Sequence, residues 1–235
     1  MPRLVLDIET VGESWEGLDE TSQHMLTRWI EKEFGEGEDY ERALADVKNG
    51  LGFSPLTGEI VAIGVMDLDK NQGTVYFQNG DEGAEEIKEG NFTLKPMSEK
   101  EMLQAFWKGA AQYTEFISYN GRGFDAPFLA IRSAIHGIRP SRNLLEGRYP
   151  YQQRSCRHVD LQDELTFYGA TQRKGGLHMY SRAFGIKSPK SEGTTGDDVA
   201  RLFKEKKFAD IARYNIGDLL ATGDLYKAWE KYIKF

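Results

Sequence analysis

The sequence predicts a layered α/β domain carrying an acidic helical insertion near its N-terminus. Three observations point there. Strand-like apolar runs alternate along the chain with helical patterns. The longest apolar run, Ile60 to Met66 with one glycine inside it, has the length of a buried strand. Residues 12–55 depart from both patterns, being rich in acids and helical in period.

Arg3-Leu4-Val5-Leu6-Asp7-Ile8-Glu9-Thr10 reads as a strand that starts apolar and ends in alternating carboxylates. Leu18–Phe34 and Tyr40–Val47 read as two acidic helices separated by Gly35-Glu36-Gly37, and Gly50, Gly52 and Pro55 close that segment. Glu59–Met66 and Gly73–Phe77 read as a hairpin of strands. Ser98 opens a helix, with Glu101 completing a capping box and Leu103, Phe106, Trp107, Ala110 and Ala111 on its apolar face. Phe116–Asn120 is a further strand and Asp125–His136 a helix. Residues 137–176 are irregular, with a short strand near Val159. Helical patterns return at Leu177–Phe184, Asp197–Phe203, and from Phe208 towards Tyr232.

The 235 residues amount to about 1.6 average domains, and a single elaborated domain fits the absence of any low-complexity linker. No apolar run approaches the roughly 18 residues that a membrane-spanning helix needs. Met1-Pro2-Arg3 enters the first strand at once, leaving no room for a signal peptide. The lone Cys156 excludes an internal disulfide and a multi-cysteine zinc site. A cytoplasmic protein is expected. Its net charge of −7 is unevenly spread: residues 1–60 hold 14 Asp/Glu against 5 Lys/Arg, whereas residues 122–190 hold 5 against 12. An acidic chain is not an obvious nucleic-acid binder, yet a basic block inside it can form a local positive face.

Three groups of carboxylates stand out. Asp7 and Glu9, two apart on a strand, project from one face among apolar neighbours. Unpaired, they would repel each other and resist desolvation, and a divalent cation would resolve both problems; a strand end in solvent is the alternative. Asp125 follows Gly121-Arg122-Gly123-Phe124 at the start of a helix. The helix dipole favours it there, and loops beyond strand ends also form the functional crevice of open α/β sheets. Tyr214 and Asp218, at i and i+4 in a mostly buried helix marked by Phe208, Ile211, Ala212, Ile216, Leu219 and Leu220, share a face. Alone, that pair also describes a core tyrosine with a hydrogen-bond partner.

Taken together, Asp7-Ile8-Glu9-Thr10, then Ser118-Tyr119-Asn120-Gly121-Arg122-Gly123-Phe124-Asp125, then Tyr214-x-x-x-Asp218 resemble the three motifs of the DEDD-superfamily 3′→5′ exonucleases, in the branch with tyrosine in the third motif. Ser54-Pro55-Leu56-Thr57-Gly58-Glu59-Ile60-Val61 and His158-Val159-Asp160-Leu161 further resemble the subgroup related to the proofreading domain of family-B DNA polymerases. The resemblance implies a ribonuclease H-like fold, a central mixed sheet flanked by helices. It implies phosphodiester hydrolysis with two Mg²⁺ or Mn²⁺ ions on Asp7, Glu9, Asp125 and Asp218. Carboxylates are the ligand type that such hard cations prefer. By the same resemblance Asp7 bridges both ions, Glu9 and Asp218 serve the ion that activates water, and Asp125 holds the other largely through bound water. Tyr214 orients the attacking water, since a phenol with an ordinary pKa near 10 is a poor base. Thr10 and Asn120 touch the terminal nucleotide.

The expected substrate is a nucleic acid, single-stranded DNA first. An RNA-trimming enzyme with the same chemistry and a non-catalytic nucleic-acid-binding module are the alternatives. No polymerase fits into 235 residues. His158 and His178 are set aside: the histidine branch of the superfamily places its histidine five residues before the last aspartate, where this chain has Arg213. Tyr149, Tyr151, Phe167 and Tyr168, among arginines, are candidates for stacking bases or for covering a core. Arg173-Lys174-Gly175-Gly176 reads equally as a phosphate contact and as a solvated turn.

Overall fold

The computed structural model describes residues 2–80, 85–187 and 198–234. Strand β1 (Arg3–Gly12) turns Leu4, Leu6 and Ile8 towards one core and Val5 and Val11 towards another, so it is covered on both faces. Strands β2 (Gly58–Asp67) and β3 (Gln72–Phe77) follow antiparallel to their predecessors. The β1–β2 register sets Asp7 opposite Gly64 and shifts between Glu9 and Thr10.

Helices α1 (Glu20–Phe34) and α2 (Glu38–Asn49) lie between β1 and β2. Asp19 caps α1 by accepting the Ser22 amide hydrogen. Helix α1 buries only Thr27 and Ile30 and α2 no residue at all, in keeping with their acidic composition.

Helix α3 (Glu99–Ala110) carries the expected capping box. It packs with α4 (Asp125–Ile135) on the face of Leu4, Leu6 and Ile8. Strands β6 (Glu115–Ser118) and β7 (Arg157–Asp160) run parallel to β1. On the other face, α5 (Leu161–Leu165), α7 (Val199–Lys204) and the 25-residue α8 (Phe208–Tyr232) cover Val5 and Ile117; α6 (Leu177–Ala183) precedes α7. Strands β4 (Ile87–Glu89) and β5 (Phe92–Pro96) complete a seven-stranded mixed sheet of order β4-β5-β3-β2-β1-β6-β7 among the described residues. No helix among them is long and apolar enough to cross a membrane.

Several expectations shift. Strand β6 stops at Ser118, because Asn120 takes a left-handed backbone conformation (φ 60°). Ala111 and Leu220 face solvent; Met102 joins the α3 core face and Ala221 that of α8. Strands β4 and β5 and helix α5 are absent from the sequence reading, since three to five residues are too few to establish a period. The expected helix start at Asp197 lies outside the described residues.

One buried ionic cluster ties β2, α3 and α4 together. Glu99 accepts the Ile60 amide hydrogen at 2.8 Å, two guanidinium hydrogens of Arg132 at 2.8 and 2.6 Å, and pairs with His136 at 2.7 Å. Burial alone would raise its carboxyl, but the Arg132 and Ile60 hydrogen bonds outweigh it and hold the pKa below the usual value. Removing one partner of such a pair leaves a buried charge uncompensated. Arg132→Met, which keeps the side-chain stem, should therefore cost about 3–5 kcal/mol in urea unfolding; a loss under about 1 kcal/mol would place the pair among weak surface bridges.

Candidate active site

Parallel pairing of β1, β6 and β7 brings the C-terminal ends of three strands side by side. Asp7 and Glu9 sit on the α8 side of β1. Helix α8 runs antiparallel to β1, its Asn215 beside Asp7 and its Tyr226 hydrogen-bonded to Glu115 at the start of β6. The approach is close because α8 crosses the sheet over glycine: a Cβ on Gly64 would lie 1.8 Å from Asn215 Oδ1 and 2.8 Å from Leu219 Cδ1.

This crossing delivers Asp218 to the strand. One carboxylate oxygen from each of Asp7, Glu9 and Asp218 lies within 4.8 Å of the others. Asp125 stands beside this trio, fully buried at the first turn of α4, and its Oδ1 accepts the Ile8 amide hydrogen at 2.9 Å. Four sequence-predicted acids are thus brought together, three of them tightly.

The electrostatics are unfavourable as they stand. Among the described residues no Lys, Arg or His pairs with Asp7, Glu9 or Asp125. Burial, then the charges of Asp218, Asp125 and Glu9, push the Asp7 carboxyl well above its ordinary value. Glu9 is raised by burial and by Asp218, against the opposing Asn215 hydrogen bond. Asp125 is pushed up to about 7, mainly by burial, with the Ile8 amide opposing. An all-oxygen donor set with surplus negative charge fits a hard divalent cation. Burial and the nearby charges of Asp218, Glu9 and Asp7 also lift the Tyr214 hydroxyl far above its ordinary range, so it keeps its proton at any working pH.

Thr10 and Asn120 lie on the rim. The Thr10 hydroxyl donates to the Gly52 carbonyl at 2.7 Å. Asn120 sits in a loop gripped by Asp160, whose carboxylate accepts the amide hydrogens of Asn120 and Arg122 at 2.9 Å each. Two residues the sequence reading passed over therefore shape the site, Asn215 and Asp160. The signal for Asn215 was available: a polar residue in a helix core, three positions before Asp218 on the same face. Asp160 stood in the His158-Val159-Asp160-Leu161 motif, but its contact with the Asn120–Arg122 backbone depends on β7 lying beside β6.

The residues set aside lie elsewhere. His158 is buried, accepts the Ser118 hydroxyl hydrogen at 2.7 Å and donates to the Leu144 carbonyl at 2.9 Å, and burial lowers its pKa to about 4. Arg213 pairs with Glu89 and Asp210. Tyr149 stacks on Tyr151, ring centroids 5.8 Å apart, and Tyr168 tilts against Tyr149 at 5.1 Å. The Gly175 carbonyl accepts the Tyr119 hydroxyl.

Residues 57–233 match a family model described as a predicted 3′-5′ exonuclease related to the exonuclease domain of PolB. No curated protein matches the chain. Among solved structures the chain is similar to the family B DNA polymerase of the hyperthermophilic archaeon Pyrobaculum calidifontis, with a TM-score of 0.58 and 16% identity over 97% of this chain. The match spans 24% of that polymerase chain, and at this identity it bears on the fold, which is the expected ribonuclease H-like one.

A raised carboxyl pKa means that the folded state keeps a proton the unfolded chain has released, so stability falls as pH rises through the shifted value. Asp7→Asn removes one charge from the cluster. Thermal melts in chelator should show the variant more stable than the parent at pH 8, with the gap narrowing as the pH is lowered and the parent's Asp7 takes up its proton. A lower midpoint for the variant at pH 8 would mean that the Asp7 charge is compensated in the fold.

Proposed function

The chain belongs to the family of predicted 3′-5′ exonucleases related to the exonuclease domain of PolB, and from that premise we propose that it removes nucleotides from the 3′ ends of nucleic acid, chiefly single-stranded DNA, using two divalent cations, Mg²⁺ or Mn²⁺. The observation that carries the reading is the trio of Asp7, Glu9 and Asp218 oxygens within 4.8 Å, with Tyr214 one helical turn from Asp218. Asp7, Glu9 and Asp218 would hold one cation. Asp7 and Asp125 would serve the second, Asp125 while one of its oxygens accepts the Ile8 amide hydrogen. Bound there, such cations lower the pKa of an attacking water and offset charge on the departing 3′ oxygen.

The chain's own residues supply position. Tyr214, a phenol that ordinarily keeps its proton at neutral pH, orients the attacking water by hydrogen bonding. Thr10, its hydroxyl hydrogen committed to Gly52, keeps an oxygen to accept from the terminal nucleotide. Asn120, half-buried in its left-handed turn, stands as the second contact to that nucleotide. The surplus of basic residues between 122 and 190 suits a phosphate backbone.

Incubation with end-labelled single- and double-stranded DNA and RNA should show stepwise shortening from the 3′ end, fastest on single-stranded DNA, with Mg²⁺ or Mn²⁺ and none in excess chelator. Full activity in chelator would overturn the metal mechanism, and faster loss of RNA would reassign the substrate.

Tyr214→Phe should lower kcat by roughly 10²–10⁴-fold with little change in substrate affinity. Unchanged kcat with about 1 kcal/mol of lost stability would make Tyr214 a core residue that merely bonds Asp218.

A further inference from the structure

Asn215 is wholly buried in the middle of α8, with apolar Ile211, Ala212 and Leu219 on the same helix face. Its single amide nitrogen serves two carboxylates, donating to Asp7 Oδ2 at 2.8 Å and to Glu9 Oε1 at 3.3 Å. Its Oδ1 is buried and has no hydrogen-bond donor. Chemistry decides the orientation, since the reverse one would aim a carbonyl oxygen at two carboxylates. A buried carbonyl without a donor is costly, and leucine, of nearly the same shape, would fill the helix core without that cost. Something beyond packing favours an amide here.

The space around Asn215 narrows the explanation. Gly64 lies on β2 directly across from Asp7, and a side chain there would collide with Asn215 Oδ1. The amide is therefore wedged between the β2 backbone and the two carboxylates. A lysine in its place would neutralise the site and compete with cations, and an aspartate would add a further negative charge. A neutral donor with two hydrogens holds both carboxylates without doing either.

We propose that Asn215 is a positioning residue of the cation site: by occupying one oxygen of Asp7 and one of Glu9, it sets the rotamers in which their other oxygens meet the cation. This rests on the exonuclease reading and assigns that site a residue that is neither a metal ligand nor a substrate contact. Outer partners that orient ligating carboxylates typically contribute 10–100-fold in metal affinity.

The test uses the full chain without nucleic acid and reads Mn²⁺ binding by titration calorimetry, with thermal melts in chelator confirming the fold. Asn215→Leu keeps the volume and removes the donors. Gly64→Ala keeps every polar group and displaces the amide. Each should weaken Mn²⁺ binding by about 10–100-fold, and the double variant should be little worse than either, because both break the same contact. The Mn²⁺ concentration for half-maximal nuclease rate should shift by the same factor. If one variant fails to fold, the other carries the test. Either variant folded and with unchanged Mn²⁺ affinity overturns the role of Asn215 alone. Absence of Mn²⁺ binding by the unsubstituted protein overturns the reading of the whole site with it.

Discussion

Crowding of carboxylates at the end of β1 is the constraint on which the rest of this structure depends. Asp7, Glu9 and Asp218 place oxygens within 4.8 Å of one another, in surroundings that raise the pKa of both β1 acids. A fold holds such a cluster only if the elements bearing it are anchored by other contacts. Strand β1 is anchored by pairing on both edges and by apolar side chains on both faces. Helix α8 is anchored along its length by Leu219, Leu225, Tyr226 and Trp229. Apolar burial on the flanks thus offsets the repulsion at the centre.

Close approach is the second requirement. Gly64 and Gly223 let α8 sit against β2: a Cβ on Gly223 would lie 2.7 Å from Met66 Cε, and one on Gly64 would strike Asn215. A methyl group at Gly64 would displace the Asn215 amide, and one at Gly223 would require the end of Met66 to shift. On the opposite face, Asp160 draws the Asn120–Arg122 backbone into the turn that starts α4 and so delivers Asp125 to the Ile8 amide.

Two buried titratable groups elsewhere in the fold are compensated. Glu99 is surrounded by Arg132, His136 and the Ile60 amide, and His158 has both ring nitrogens bonded. The contrast separates structural polar groups from the candidate site. Glu99 is held by a guanidinium, whereas among the described residues no Lys, Arg or His pairs with Asp7, Glu9 or Asp125.

The sequence by itself determined the local and the periodic features. Alternating apolar runs marked β1, β2 and β3, the Ser98 and Glu101 pair marked the start of α3, and the spacing of Tyr214 and Asp218 placed both on one face of α8. The candidate residues Asp7, Glu9, Asp125, Tyr214 and Asp218 could be picked out because each lies within a motif whose members are close along the chain. Tertiary structure alone decided what depends on distant neighbours. The short strands β4 and β5 have too few residues to declare a period and form because β3 offers them an edge. Asn215 became part of the site only once β1 and Gly64 were beneath it, and Asp160 only once β7 lay beside β6. A residue's intrinsic chemistry is local, whereas its partners are set by elements distant along the chain, such as Asp7 and Asn215, 208 positions apart.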